Sequence, residues 1–326
     1  MEHVIVIGAG PCGLSAAVEL QRAGLTPLLI EKNCLVHSIY LYPTNLQFFS
    51  TAELLEIGGI PFTTTQEKPS RNEALVYYRN VAIREKLRIH AYEEVVEVLN
   101  DGQSFQVTTN DRYNRPTTYH ARNVVVATGY FDHPNLLGIP GEELSKVTHY
   151  YKEAHPYTGA KVTVIGGSNS AIDAAMDLYR VGAEVTIVYR GSSYSSTIKP
   201  WVRPVFESLV NKGRINMLFN SQVQQITEDH VCLITDGAEA TIENDFVLAL
   251  TGFRPDRSLL SSLGIAIQEE TGTPYHNPAT METNVTGFYL AGVVASSKYD
   301  ANEIFIETGR LHGVAIARHI AAQLRN

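Results

Sequence analysis

Two glycine-rich turns, each placed between an apolar run and a helical pattern, constrain the fold of this chain more than any other feature. In residues 3–31 the first turn carries Gly8, Gly10 and Gly13 in a GxGxxG spacing. In such a turn the first glycine allows the tight bend, the second lets the backbone approach a pyrophosphate, and the third lets helix and strand pack closely. The pyrophosphate would lie on the helix N-terminus, where free N–H groups and the positive end of the helix dipole converge.

The same segment ends in an acid at the position that a dinucleotide site uses. After the helical pattern, Gly24 marks a stop, and a second apolar run leads to Glu31, 18 residues after Gly13. A carboxylate at this position accepts a hydrogen bond from a ribose hydroxyl. Strand, helix, second strand and acid follow in order, so the segment predicts a dinucleotide-binding βαβ unit.

Residues 161–190 repeat this pattern with two departures in the turn. The turn begins with Gly166 and Gly167, but Ser168 stands at the second glycine position of the motif and Ala171 at the third. Alanine still permits close packing of helix and strand. Serine crowds a pyrophosphate slightly, so we expect its hydroxyl to donate a hydrogen bond to a phosphate instead.

The end of the second unit predicts which coenzyme it binds. Its second strand ends in Arg190 rather than in an acid. An arginine there accommodates a 2′-phosphate, which favours NADP over NAD. Ser192, Ser193 and Lys199 follow closely and are expected to assist. The alternative is that Arg190 is an ordinary surface arginine.

The two halves of the chain also share an architecture beyond their glycine turns. Residues 123–130 (NVVVATGY) read as a buried strand that ends in a small-residue turn, and a hairpin pattern around residues 100–102 precedes it. In the second half, a hairpin pattern around residues 230–237 precedes a similar strand at 246–253. Each half therefore runs from a βαβ unit through hairpins to a strand that ends in Thr-Gly, which indicates an internal repeat of architecture.

Composition excludes several classes of protein. A length of 326 residues predicts about two domains. A net charge of −8 argues against a nucleic acid partner and against binding to an anionic membrane surface. No apolar run is long enough to span a membrane, and the strand-like run that begins at His3 leaves no room for a secretory signal. The chain is therefore expected to be cytoplasmic.

Cysteine and histidine usage excludes further kinds of site. The three cysteines, Cys12, Cys34 and Cys232, form no CxxC pair, which argues against a disulfide scaffold and a cysteine zinc site. The 11 histidines show no metal-ligand spacing, so no metal is expected. Cys34 and Cys232 lie outside any motif and are expected to be passive.

Together these motifs resemble the flavoprotein reductases with two dinucleotide-binding domains, and most closely the low-molecular-weight thioredoxin reductases. The resemblance covers essentially the whole chain and rests on GAGPCG, ATG, GGSNSA, TGFRPD and YLAG in that order. It implies an α/β fold of two Rossmann-like domains of the three-layer ββα type. In this arrangement an NADPH-binding domain (140–251) is inserted into a discontinuous FAD-binding domain (1–139 and 252–326).

The resemblance also implies that the first site binds FAD and the second NADPH. A helix predicted from about Ala301 would direct its N-terminus at the flavin and stabilise negative charge on the reduced ring. The residues expected to hold FAD are Gly8, Gly10, Pro11, Gly13, Glu31, Lys32, Phe49, Thr128, Gly129, Gly292, Ala301, Asn302, Glu303 and Ile304. The residues expected to hold NADPH are Gly166, Gly167, Ser168, Asn169, Ser170, Arg190, Ser193 and Lys199. Relatives usually carry Asp after Gly292, where this chain has Val293, so one FAD contact is missing.

The largest departure from the thioredoxin reductases concerns sulfur. The segment before the second glycine turn has no CxxC, so a dithiol relay to thioredoxin is not available. Cys12 lies instead in the first turn of the first helix, where the helix N-terminus is expected to lower the thiol pKa and favour the nucleophilic thiolate. Phosphates of FAD would act in the opposite direction. The alternative is a small residue that fills a tight turn.

Several segments further resemble the bacillithiol disulfide reductases, which are flavoproteins with one cysteine in this turn and no CxxC. The resemblance implies reduction of bacillithiol disulfide, a small-molecule substrate, by NADPH through FAD, with Cys12 as the redox thiol. It also implies a homo-oligomer, either a dimer or a tetramer. The segments that carry it are residues 8–17, 37–50, 68–79, 148–157, 189–201 and 300–309.

Two clusters remain ambiguous, and two enzyme classes remain as alternatives. An aromatic cluster either covers the flavin or forms core, and a basic-aromatic cluster either is a solvated face or recognises a phosphate or acidic groups of the substrate. The clusters are Tyr40, Tyr42, Phe48 and Phe49, and Lys199, Trp201 and Arg203. The alternative enzymes are a flavin-containing monooxygenase and a ferredoxin–NADP reductase without CxxC. A non-enzymatic NADPH-sensing regulator would keep the nucleotide sites but need no electron acceptor.

Overall fold

The structure is a computed structural model that describes residues 1–297 and 304–324. Its strands are β1 (Glu2–Ile7), β2 (Pro27–Glu31), β3 (Arg88–Ala91), β4 (Glu93–Asn100), β5 (Phe105–Asp111), β6 (Pro116–Val126), β7 (Val147–Thr148), β8 (Lys161–Ile165), β9 (Glu184–Val188), β10 (Asn216–Leu218), β11 (Ser221–Ile226), β12 (His230–Thr235), β13 (Ala238–Glu243), β14 (Phe246–Ala249) and β15 (Phe288–Leu290). Its α-helices are α1 (Pro11–Arg22), α2 (His37–Leu41), α3 (Ala52–Leu55), α4 (Arg71–Arg84), α5 (Asn169–Arg180), α6 (Arg203–Asn211), α7 (Ser258–Ser262) and α8 (Ile306–Gln323).

The first glycine turn belongs to a sheet of order β3-β2-β1-β6-β5-β4, in which β15 also pairs with β6. The strands β1, β2, β3 and β15 run parallel to their neighbours, whereas β4 and β5 are antiparallel. The strand β6 belongs to both parts, because its residues 116–121 pair with β5 and its residues 124–126 pair with β15. The parallel part places the carboxyl ends of β1 and β6 side by side, which is where open α/β sheets bind ligands.

The second glycine turn belongs to a parallel sheet of order β10-β9-β8-β14-β7, accompanied by an antiparallel sheet β11-β12-β13. Successive strand residues point to opposite faces, and the two cores follow this alternation. Val164 packs in the core that contains Ile172 of α5, whereas Ile165 packs with Val223 and Val231 of the antiparallel sheet. The parallel sheet is therefore covered by helices on one face and by the three-stranded sheet on the other.

The two βαβ units repeat each other position by position. The turn glycine N–H donates to the end of the second strand in both, from Gly8 to Ile30 O at 2.8 Å and from Gly166 to Val188 O at 3.1 Å. Both α1 and α5 contain 12 residues. The predicted fold class, with two Rossmann-like units and antiparallel sheets, is confirmed.

The chain divides into two compact units by its internal contacts. One unit comprises residues 1–40, 46–133 and 253–326, and the other comprises residues 41–45 and 134–252. The discontinuous first domain with boundaries at 139 and 252, which the resemblance implies, stays a prediction.

The C-terminal helix begins later than the sequence predicts. Instead of beginning near Ala301, α8 begins at Ile306, and Phe305 precedes it as an extended N-cap. Two β-branched residues and an aromatic one occupy positions 304–306 and favour a helix weakly, whereas Glu307 in the first turn interacts favourably with the helix dipole. Ala301, Asn302 and Glu303 lie outside the described residues.

Candidate functional site

The first glycine turn is built so that a bulky anion can approach its backbone. A Cβ on Gly8 would lie 2.6 Å from Ala127 O, and one on Gly13 would collide with the carbonyl of Gly8. Both positions therefore require glycine. Gly10 differs, because a Cβ there would meet nothing within 4 Å. The open space beside Gly10, at the N-terminus of α1, fits a pyrophosphate that accepts hydrogen bonds from free N–H groups.

The carboxylate of Glu31 is fixed beside this turn by two backbone donors. Ala9 N–H donates to Oε2 at 2.8 Å, and Asn33 N–H donates to Oε1 at 2.9 Å. The residue is buried, yet each carboxylate oxygen keeps a lone pair that can accept a further hydrogen bond. Acceptance of a ribose hydroxyl by these lone pairs stays a prediction.

Other residues predicted to hold FAD lie after β6, after β2, at the start of α1 and at the protein surface. Thr128 and Gly129 follow β6 after Ala127, and a Cβ on Gly129 would meet nothing within 4 Å. Lys32 follows β2 and forms an ion pair with Asp132 at 3.0 Å. Phe49 is 52% exposed, so it does not belong to the core. Pro11 occupies the first position of α1, where its missing N–H costs no hydrogen bond.

A close crossing of α1 and α8 surrounds Cys12. A Cβ on Gly309 would lie 2.8 Å from Cys12 Sγ, and one on Gly313 would lie 2.7 Å from Ala16 N. The two glycines are four residues apart and face α1, so they let the helices approach closely. A Cβ on Gly292 would also lie 2.9 Å from Cys12 Sγ. The sulfur therefore lies against two glycine backbones.

The expectation that the helix N-terminus lowers the pKa of Cys12 is wrong for this structure. Burial raises the pKa of the Cys12 thiol to about 12, and the carboxylate of Glu307 on α8 acts in the same direction. Desolvation disfavours the charged form, and here it outweighs the helix dipole. Cys12 is consequently a thiol at neutral pH in the described structure. Its assignment as a redox residue stays a prediction.

His312 is a site residue that the sequence analysis missed. Its Nδ1 accepts a hydrogen bond from Gly292 N–H at 3.1 Å, so the proton of the neutral ring lies on Nε2. Burial lowers the pKa of His312 to about 4, and His276 acts in the same direction. His312 thereby links α8 to the turn after β15. No motif identifies it, although its spacing of three residues from Gly309 places it on the same side of the helix.

The second glycine turn holds a loop of the chain against the start of α5. Asn169 Nδ2 donates to Thr197 O at 2.8 Å, and Lys199 N–H donates to Asn169 Oδ1 at 3.0 Å. Ser168 Oγ accepts a hydrogen bond from Thr197 Oγ1 at 3.3 Å. The Ser168 hydroxyl can still donate its own proton, as the prediction of a phosphate contact requires.

The residues predicted to select NADPH differ in their exposure and in their ion pairs. Arg190 and Ser193 are exposed, as is Ser170. Lys199 is 11% exposed in its side chain and forms an ion pair with Asp173 of α5 at 2.7 Å. Lys199 therefore stabilises the loop against α5, and Arg190 is the more accessible cation.

Within the aromatic cluster and within the basic-aromatic cluster, the side chains differ in their exposure and in their contacts. Tyr40 is 46% exposed and lies 5.5 Å from the guanidinium of Arg71, so it is not core. In the basic cluster Arg203 pairs with Glu207 at 2.6 Å, whereas Trp201 is 60% exposed. The remaining cluster members, Tyr42, Phe48 and Lys199, are also engaged in contacts.

In residues 1–297 and 304–324, no group of three His, Cys, Asp or Glu side chains could hold a metal ion. Within the same part of the chain, no helix combines the length and the apolar character needed to cross a bilayer.

Comparison with known proteins shows which family this chain is similar to. The family model described as pyridine nucleotide-disulphide oxidoreductase matches residues 5–292. A curated relative from Bacillus subtilis, bacilliredoxin reductase Bdr, is 50% identical over 322 residues, which cover 98% of each chain. A solved structure of bacillithiol disulfide reductase Bdr (YpdA) from Bacillus cereus is 52% identical, covers 99% of each chain and has a TM-score of 0.97. Its counterpart from Staphylococcus aureus is 47% identical, covers 99% of this chain and 98% of the other, and has a TM-score of 0.94.

Proposed function

The chain belongs to the pyridine nucleotide-disulphide oxidoreductase family, and we propose that within it this enzyme is an FAD-containing, NADPH-dependent reductase of bacillithiol disulfide. The observation that carries the proposal is the identity of 47–52% over nearly the whole chain to two solved bacillithiol disulfide reductases. The family itself makes the chain an oxidoreductase that uses a flavin and a nicotinamide nucleotide. FAD, NADPH and the disulfide are the finer assignments proposed here.

The proposed reaction converts NADPH, one proton and bacillithiol disulfide into NADP⁺ and two molecules of bacillithiol. The nicotinamide loses two electrons, and the S–S bond gains them as it breaks. When bound, the flavin carries the two electrons from the nicotinamide to the disulfide.

The first unit would hold FAD through its backbone and one acid. The pyrophosphate would lie beside Gly10 at the start of α1, where the backbone is open. The carboxylate of Glu31, held by the Ala9 and Asn33 N–H groups, would accept from the adenosine ribose. Thr128 and Gly129 would line the flavin side of the same strand ends. The second unit would hold NADPH at Ser168 and Arg190.

Cys12 is proposed as the thiol that reacts with the substrate. Attack of its thiolate on one sulfur would release one bacillithiol and leave a mixed disulfide on Cys12. Two electrons from NADPH, delivered through the flavin, and two protons would then restore the Cys12 thiol and release the second bacillithiol. Because the thiol is protonated in the described structure, its proton must leave before the attack.

A protein disulfide is a second candidate substrate. The Bacillus subtilis relative is named a bacilliredoxin reductase, which designates a protein as the electron acceptor of that enzyme. The same family chemistry serves both substrates, because each presents an S–S bond to the reduced enzyme. We propose a cytoplasmic homo-oligomer in either case.

The test is an anaerobic half-reaction followed by the flavin absorbance. The protein is bleached with NADPH and then mixed separately with bacillithiol disulfide, cystine, glutathione disulfide, oxidised thioredoxin or oxidised bacilliredoxin. Return of the oxidised spectrum with bacillithiol disulfide alone supports the proposal, and return with bacilliredoxin alone supports the second candidate. If no disulfide restores the oxidised spectrum, rapid reoxidation by ferredoxin would support the ferredoxin–NADP reductase alternative. Oxygenation of an added sulfide would support the monooxygenase alternative.

The role of Cys12 is tested by substitution. Cys12→Ser is expected to abolish disulfide-dependent turnover while NADPH still bleaches the flavin. Full turnover by Cys12→Ser with FAD bound would show that the redox thiol lies elsewhere or is not needed. Cys232→Ser, a substitution on β12, is the matched control.

A further inference from the structure

In each βαβ unit, one residue comes directly after the last position at which the second strand pairs with the first. This residue differs between the two units in a way that the glycine turns do not explain. Ile30 pairs with Ile7, the last residue of β1, and Val188 pairs in the same way with Ile165, the last residue of β8. Glu31 and Tyr189 therefore occupy equivalent positions. The prediction that Arg190 stands at the position of the acid is therefore wrong: Arg190 is the next residue and corresponds to Lys32.

In the first unit this position is a carboxylate that joins two backbone N–H groups. Glu31 accepts from Ala9 at 2.8 Å and from Asn33 at 2.9 Å. Those two residues follow the first turn glycine and the end of the second strand, respectively. The carboxylate thus closes the gap between turn and strand end, and it keeps lone pairs for a ribose hydroxyl.

In the second unit an aromatic ring covers the same two positions. The equivalents of Ala9 and Asn33 are Gly167 and Gly191. A Cβ on Gly167 would lie 2.5 Å from Cε2 of Tyr189, and a Cβ on Gly191 would lie 2.5 Å from its Cε1. Neither glycine has a positive φ, so their backbone would accept other residues. The ring is what requires glycine at both positions.

We propose that Tyr189, seated on Gly167 and Gly191, is a specificity-determining residue that makes the second site select nucleotides with a 2′-phosphate. The ring replaces the acceptor that a 2′-hydroxyl would use and removes a negative charge that would repel a phosphate. The adjacent Arg190 is exposed and can pair with that phosphate. This inference rests on the proposed function only in that the second unit binds the nicotinamide nucleotide.

The proposal is tested by nucleotide binding rather than by turnover. Affinities of the FAD-loaded protein for NADP⁺ and NAD⁺ are measured by calorimetry in wild type, Tyr189→Glu, Tyr189→Gln and Tyr189→Phe. Tyr189→Glu is expected to shift the affinity ratio toward NAD⁺ by about tenfold or more, since it restores an acceptor and a charge. Tyr189→Gln restores a neutral acceptor and is expected to shift the ratio in the same direction by about threefold. Tyr189→Phe keeps the ring and is expected to keep the ratio within about twofold.

The outcomes separate this inference from the proposed function. An unchanged ratio in both Tyr189→Glu and Tyr189→Gln, in protein that still binds NADP⁺, overturns the role of Tyr189 and leaves the reductase assignment intact. A wild-type protein that binds neither nucleotide overturns both. Circular dichroism shows whether Tyr189→Glu folds, and Tyr189→Gln carries the test if it does not.

Discussion

The sulfur of Cys12 packs against the backbone of Gly309, so that a Cβ on Gly309 would stand 2.8 Å from Sγ and 3.0 Å from the Cα of Gly292. Gly309 lies within α8, where glycine costs about 1 kcal/mol relative to alanine. A glycine inside a helix is therefore retained here for packing. The contact joins the first turn of α1 to α8.

Gly309→Ala is expected to destabilise the protein, because overpacking by a buried methyl costs roughly 1–3 kcal/mol and exceeds the gain in helix propensity. Combining it with Cys12→Ala removes the sulfur and should recover about 1 kcal/mol of that loss. Denaturant unfolding of the four proteins of this double-mutant cycle measures the coupling. Strict additivity would contradict direct packing of Sγ on Gly309.

Native Cys12 is expected to react slowly with alkylating reagents. Burial raises its pKa to about 12, about three units above an ordinary thiol, so its thiolate fraction at pH 8 falls on the order of 1000-fold. Labelling native and unfolded protein with iodoacetamide, followed by peptide mass spectrometry, compares the rates at Cys12 directly. Rapid labelling of native Cys12 at pH 8 would instead indicate that the helix N-terminus, and not burial, determines the pKa of this thiol.

Glu31→Gln is expected to weaken both the fold and flavin retention. The amide keeps one acceptor oxygen for the two N–H groups of Ala9 and Asn33, and an unsatisfied buried group costs about 1–3 kcal/mol. Urea unfolding and the flavin-to-protein absorbance ratio after gel filtration measure the two effects. Glu19→Gln removes the charge of a partly exposed partner of Arg22 and is the matched control, with an expected change below about 0.5 kcal/mol.

His312 is expected to make stability fall at mildly acidic pH. The folded pKa of about 4 lies below the unfolded value near 6.5, so the unfolded chain takes up the proton first. The contribution is fully present above about pH 6.5 and is lost progressively toward pH 4, by at most about 3 kcal/mol.

Urea unfolding of wild type and His312→Asn at pH 7, 6 and 5 isolates this contribution. Asparagine can accept from Gly292 N–H but does not titrate over this range. The variant should therefore lose less stability than wild type between pH 7 and pH 5. Equal losses in the two proteins would assign the acid sensitivity to other groups.

Arg190 and Lys199 are expected to contribute unequally to NADPH binding. Arg190 is exposed, whereas the Lys199 ammonium is already paired with Asp173 at 2.7 Å. Arg190→Met should raise the KM for NADPH about tenfold or more, and Lys199→Met should change it by less than about threefold. Steady-state kinetics with a common electron acceptor compares them, and a larger effect of Lys199→Met would reverse the assignment.

The sequence alone was sufficient for the βαβ units and for the acid beside the first turn. These features are local, since Gly8 must bend at φ +103° and Gly24 must end α1 at φ +85° whatever the rest of the chain does. The strand and helix patterns around them have periods that a short window reveals. The start of α8 was placed too early, because residues 304–306 favour a helix weakly and the motif preceding them does not mark its boundary.

The tertiary structure decided the environment of each candidate side chain. The pKa of Cys12 rises because α8, nearly 300 residues away in sequence, removes water from a thiol whose local position predicts the reverse. Tyr189 lies as far after Gly166 as Glu31 lies after Gly8, but only the folded chain shows that its ring packs on Gly167 and Gly191. Short-range sterics determine turns and helices and can be read from neighbouring residues. Burial and pairing depend on distant segments that meet only in the folded chain.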